Sequence, residues 1–164
     1  MASLMRSRNG KPPALKKESK PSRRIEREVA FQILYGLSFS PDADEAALRS
    51  SFVNSPDLEA RGLSPEPEGF AWELVRGVWL NRAEMDAAIA RHSQNWRVER
   101  MGRIELTILR IGMYELLFAP ESLNVPPKVA INEAVELAKN FGDQNARSFV
   151  NGILDAAVRE IKTD

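Results

Sequence analysis

Cysteine is absent from the 164 residues, histidine occurs once (His92), and aromatic residues make up only 7%. Without cysteine there is no disulfide framework, no thiolate nucleophile and no cysteine-ligated zinc or iron–sulfur site. A single histidine leaves neither a His-rich metal site nor a Ser-His-Asp triad. No apolar run reaches the ~18–20 residues that a membrane helix needs, and the N-terminus lacks the apolar core of a signal peptide. Glycine-rich phosphate cradles and the G-x-S-x-G elbow are missing too. These absences lead to the expectation of a soluble, cytoplasmic protein with no cofactor, no metal and no catalytic role.

What is present is a charge asymmetry. Lys plus Arg and Asp plus Glu both total 23, so the formal net charge is zero. Residues 1–24 nevertheless hold eight basic residues against one acid, a net +7, which leaves 15 against 22, a net −7, for the rest. A basic arm on an acidic body fits a chain whose arm meets phosphates, and it fits a solubilising tail equally well.

Residues 1–21 are rich in Lys, Ser, Pro and Gly without an apolar period, which predicts a disordered basic leader; residues 22–164 then form one domain. Ser22 is a candidate N-cap, ahead of a helix whose Ile25, Val29, Ile33 and Leu37 recur at i+4. Ser40-Pro41-Asp42 should end that helix and open a short second one through Phe52. The stretch 54–69, with three prolines and two glycines, reads as a loop. From Glu68 a long segment places Phe70, Leu74, Val78, Met85 and Ile89 on one stripe, and Gly77 within it signals a close helix approach. The next segment, to Pro120, is apolar on two flanks and so belongs at the centre of the core. Pro127 suits the first turn of another helix, Gly142 its end, and Asp143 or Asn145 the start of the last. Nothing alternates as a strand. The fold class is all-α, with about seven helices.

Chemistry-bearing residues are few. Glu99/Arg103 and Glu105/Arg110 have the spacing of solvated pairs. His92 suits a cap or surface position, and Trp72, Trp79, Trp96, Tyr35 and Tyr114 suit core or interface. The better lead is the arginine cluster. Arg23 and Arg27 are four apart and share a helix face, with Arg24 bordering it. Guanidinium forks match phosphate oxygens; the competing reading is internal pairing with Glu26 and Glu28.

RRIEREVAFQILY (23–35), RIELTILRIGMYELLF (103–118) and VPPKVAINEAVELAKNFGDQNARSFVNGILDAA (125–157), in that order, closely resemble the NusB family of transcription antitermination factors over roughly residues 22–161. The resemblance implies two small helical bundles packed across each other. It also implies binding to the boxA element of ribosomal RNA transcripts together with NusE, a small-subunit ribosomal protein. That complex joins the RNA polymerase antitermination complex, suppresses premature termination and aids ribosomal RNA synthesis. Matched to the family, Arg23, Arg24 and Arg27 are assigned to RNA, with Tyr35 near both the RNA and the partner surface. Glu105 is assigned to NusE, and Lys128, Asn145 and Phe149 to a second part of the RNA track. Asn132, Glu133 and Asn151 are read as structural, at helix ends or the joint between the bundles.

NusB-like domains also stand at the head of ribosomal RNA cytosine methyltransferases, which carry reactive cysteines and a large catalytic domain. A 164-residue chain without cysteine is expected to be the free-standing factor. The alternative to an RNA role is a non-catalytic protein–protein scaffold whose arm binds acidic partners. Monomer and homodimer both stay open, since an uncovered apolar face would drive a homodimer that hides the RNA helix.

Overall fold

The computed structural model describes residues 21–94 and 97–163. The expected disorder of the basic leader and the expected packing of Trp96 therefore lie outside the described residues.

Helix α1 (Arg23–Leu37) starts where Ser22 accepts a hydrogen bond from the Ile25 amide. Helix α2 (Glu45–Val53) starts at Asp44, whose carboxylate accepts from the Ala47 amide at 2.8 Å. Asp44 thus takes the capping role expected of the Ser40-Pro41 stretch, because Pro41 and Asp42 are consumed in the turn that leaves α1. Within the expected loop 54–69, Ser55 and Pro56 start a single helical turn, α3 (Pro56–Ala60), that buries Leu58.

The long segment from Glu68 is two helices, α4 (Gly69–Leu80) and α5 (Arg82–His92). They break at Asn81, whose side-chain amide donates to the Gly77 carbonyl at 2.8 Å while Arg82 donates to the Trp79 carbonyl at 2.7 Å. Two side chains thereby satisfy carbonyls left open at the end of α4, which makes the break stable. Helix α6 (Arg103–Met113) continues as a π turn, Tyr114–Phe118, before Pro120. It is followed by α7 (Pro127–Phe141) and α8 (Ala146–Thr163). Seven of these helices have nine residues or more, and no strand occurs among the described residues.

Helices α1 to α4 form one bundle and α5 to α8 the other, with α1 lying across α6 at the joint. As its two apolar flanks imply, α6 is central: Ile108, Leu109, Ile111 and Met113 are all within 1% of full burial. Gly77 is where α4 meets the π turn. A Cβ there would sit 2.1 Å from the Tyr114 ring, so only glycine admits this approach. The joint fixes where the N-terminal arginines of α1 lie relative to α6 and α7.

Candidate nucleic-acid interface

The arginines of α1 do three different things. Arg23 is exposed; its guanidinium donates to the Leu123 carbonyl at 2.5 Å and stands 4.6 Å over the Phe70 ring. Arg24 is exposed and donates from Nε and Nη2 to both Glu133 oxygens, at 3.1 and 3.0 Å. That hydrogen-bonded contact, with the attraction of the same carboxylate, raises the Arg24 pKa.

Arg27 turns inward, contrary to its assignment as an RNA ligand. It is 3% exposed, its Nε donates to Glu115 Oε1 at 2.8 Å, and it stands 4.9 Å over Phe70. Arg23 and Arg27 do share the face their spacing implies, for both stack on Phe70. One turn further along α1, however, that face is closed by the π turn carrying Glu115. Burial pushes the Glu115 pKa up, against the opposing pull of Arg27. Only one hydrogen bond joins the pair: Arg27 Nη2 and Glu115 Oε2 are buried without a partner.

Internal pairing with Glu26 and Glu28 is also not what the arginines do. Glu28 accepts from Arg61 at 2.8 Å, and Glu26, its pKa raised by burial, is stabilised by the Ala71 backbone.

Lys128 is exposed in the first turn of α7. Because Arg23 reaches Leu123, the start of α1 abuts the stretch leading into α7. Arg23 and Arg24 thus lie where α1 meets α7 and the stretch leading into it, and the first turn of α7 carries Lys128.

Tyr35 is half-buried twelve residues along α1 from Arg23, about 18 Å away at helical rise. It belongs to a row of rings. Phe141 packs on Phe31 at 4.6 Å between centroids, Phe31 stacks on Tyr35 at 6.1 Å, and Tyr35 meets Phe39 edge-on at 5.3 Å. The Arg103 guanidinium closes the row 4.4 Å over Phe39.

A groove of about 500 Å³ opens between the start of α6 and the α7–α8 turn, lined by Arg100, Met101, Glu105, Asn145 and Phe149, among others. It brings together three residues that lie up to 44 positions apart in the chain: Glu105, Asn145 and Phe149. Glu105, third residue of α6, curls back so that its Oε2 would lie 2.3 Å from a Cβ on Gly102. An acid in the first turn of a helix complements the dipole there.

The expected pairs Glu105/Arg110 and Glu99/Arg103 do not form. Arg110 donates from two nitrogens to Asp86 at 2.7 and 2.8 Å, and Arg103 donates to the Ser38 carbonyl at 2.6 Å. Tertiary partners, a two-pronged carboxylate for Arg110 and a backbone carbonyl for Arg103, outcompete the neighbours in sequence. His92 faces Glu160 at 2.9 Å and ties α5 to α8. Trp72 and Trp79 are core, and Glu133 serves the joint between the bundles through Arg24. Asn132 and Asn151 are exposed instead. No metal-ligating cluster and no helix long and apolar enough to cross a membrane occur among the described residues.

A family model described as the NusB family matches residues 24–159 of this chain. The chain belongs to the NusB family. The transcription antitermination protein NusB of Nitratidesulfovibrio vulgaris (strain Hildenborough) is 58% identical over 142 residues, 87% of this chain and 91% of that protein. The NusB of Myxococcus xanthus is 46% identical over 134 residues, covering 82% and 92%. Among solved structures, T. maritima NusB superposes with a TM-score of 0.68 at 33% identity, over 87% of this chain and 94% of that one. A chain from a crystal structure of the antitermination factors NusB and NusE in complex with dsRNA superposes at 0.64 and 25% identity, over 84% of this chain and 96% of that one.

Two features of this NusB were missed in the reading of the sequence. Glu115 as the partner of Arg27 had a legible signal, a lone acid in the otherwise apolar run Ile111–Phe118. Arg100, in the groove with Asn145 and Phe149, had none. It stands in a stretch where four of the seven residues 97–103 are charged, and only folding brings the α7–α8 turn and Ala90 of α5 against it.

Proposed function

We propose that this chain is a non-catalytic transcription antitermination factor that works in the cytoplasm. It binds boxA RNA of ribosomal RNA transcripts together with NusE and delivers both to the RNA polymerase antitermination complex. The groove that gathers Arg100, Glu105, Asn145 and Phe149 supports this reading, since it sets a cation, an amide and a ring beside the acid assigned to NusE. Phosphate contacts come from Arg23, Arg24 and Lys128. Base recognition comes from Tyr35, Phe149 and Asn145, as single-stranded RNA is read by stacking and by hydrogen bonds to splayed bases. Arg27 acts indirectly, by anchoring α1 at the joint.

Fluorescence anisotropy with a boxA RNA and a scrambled control of equal length tests the reading, with and without NusE and at two salt concentrations. The full chain and a version lacking residues 1–21 are compared. The expected result is a boxA preference that grows with NusE and survives loss of the leader. By linkage, RNA then tightens NusE binding by the same factor that NusE tightens RNA binding. Equal binding of both RNAs, lost with salt or with the leader, would instead leave a scaffold with a basic tail.

A further inference from the structure

Phe70, at the head of α4, is a ring that meets two cations at once. Helix α4 opens on Gly69, whose φ of +88° suits glycine, and the Ala71 backbone stabilises the Glu26 carboxylate. The first turns of α1 and α4 are thereby tied together. That tie sets Phe70, which is 7% exposed, against the guanidiniums of Arg23 and Arg27, 4.6 and 4.9 Å from the ring centroid. The two arginines differ in what else holds them. Arg27 is buried against Glu115, whereas Arg23 is exposed and donates to the Leu123 carbonyl.

The partner of each arginine decides how much charge it offers to a ligand. Both oxygens of Glu133 hold Arg24, and Glu115 holds Arg27, so a carboxylate offsets each of them. Arg23, alone of the three, makes no ion pair among the described residues; its holders are a ring and a carbonyl, both neutral. Neutral holders fix a guanidinium without cancelling its charge, and four of its five N–H donors stay open.

On the RNA-binding reading of this surface, we propose that Phe70, together with the Leu123 carbonyl, is the positioning residue that presents Arg23 to an RNA phosphate. Phe70 is buried and acts through Arg23, without touching RNA itself. The rotamer freedom that a loose arginine gives up on binding is here given up on folding, so the contact forms at lower cost. The pairing also divides the labour along α1: Phe70 serves the exposed Arg23 and the buried Arg27 with one ring, and thereby links the phosphate contact to the joint between the bundles.

The test is fluorescence anisotropy with the full chain and a boxA RNA over a series of salt concentrations. Arg23→Gln should lower the salt slope by about 0.7, the value of one single-strand phosphate contact. Phe70→Leu stays apolar but loses the π face. It should weaken binding by about twofold to fivefold, the range of an exposed cation–π contact, and lower the slope in the same sense. Phe70→Tyr keeps the ring and should restore both. In the Arg23→Gln background Phe70→Leu should cost nothing more, because the group it positions is gone. Equal losses in both backgrounds, or an unchanged slope in Phe70→Leu, overturn the proposal and leave Phe70 a packing residue. Wild-type binding by Arg23→Gln overturns it as well. Side-chain NMR of the arginines in the wild-type chain, with Arg23→Gln to assign the signal, checks the holding without a change at Phe70. The Arg23 Nε–H should be ring-shifted and rigid, and a mobile, unshifted signal also overturns the proposal. A wild-type chain that does not prefer boxA over the scrambled RNA defeats the RNA reading itself, and that arm is scored before any variant.

Discussion

Arg27→Met should destabilise this protein severely, and the structure says how and when. The Arg27 and Glu115 side chains are 4% and 0% exposed and share one hydrogen bond of 2.8 Å, with Nη2 and Oε2 left unpartnered. Removing the cation strands a buried carboxylate, a defect of about 3–5 kcal/mol, against a typical total stability of about 5–15 kcal/mol. The double variant Arg27→Met/Glu115→Leu removes both charges and both orphaned atoms, and should recover most of that loss or exceed wild type. The defect is also pH-dependent. Burial already raises the Glu115 pKa in the folded state. The folded state therefore holds that proton more tightly than the unfolded chain, and stability falls as pH rises through the carboxylate range. Without Arg27 the pKa rises further, so the single variant should be nearest wild type in acid and weakest at neutral pH. Urea unfolding followed by far-UV circular dichroism, for both singles and the double at acidic and neutral pH, measures the coupling. A loss under about 1 kcal/mol for Arg27→Met at neutral pH, or additive single and double effects, would refute the reasoning.

Other substitutions probe the packing and the interface. Gly77→Ala, whose Cβ would lie 2.1 Å from the buried Tyr114 ring, should lower the melting temperature more than Gly112→Ala, which meets only the end of the Leu154 side chain at 2.7 Å. Gly36→Ala has nothing within 4 Å and lies within α1, so it should raise stability by about 0.5–1 kcal/mol in the same melts. Glu133→Gln releases Arg24 from its two-pronged partner and should tighten RNA binding with a steeper salt dependence, read by anisotropy.

The chain order alone determined a great deal here. Ser22 at the head of Ile25, Val29, Ile33 and Leu37 places α1, the two-flanked apolarity of 103–118 makes α6 the core, and Gly77 announces a close approach. These are local or periodic signals, and helix periodicity translates directly into which face is buried. The motifs at 103–118 and 125–157 carry the family as well. Helix ends were less legible, because capping at Asn81 and Asp44 depends on which nearby side chain reaches an open carbonyl or amide first. The fate of the arginines was decided only in three dimensions. Spacing puts Arg23 and Arg27 on one face, but nothing in it says that the π turn closes over Arg27 and leaves Arg23 outside. Partners 88 and 109 residues away, Glu115 and Glu133, settle the matter. Charge pairing in a folded chain is a contest among all carboxylates within reach, and fork geometry and burial choose the winner over sequence neighbours. The groove that joins Glu105 to Asn145 and Phe149, and the ring of Phe39 beside Arg103, arise in the same way, from segments that meet only once the two bundles have packed.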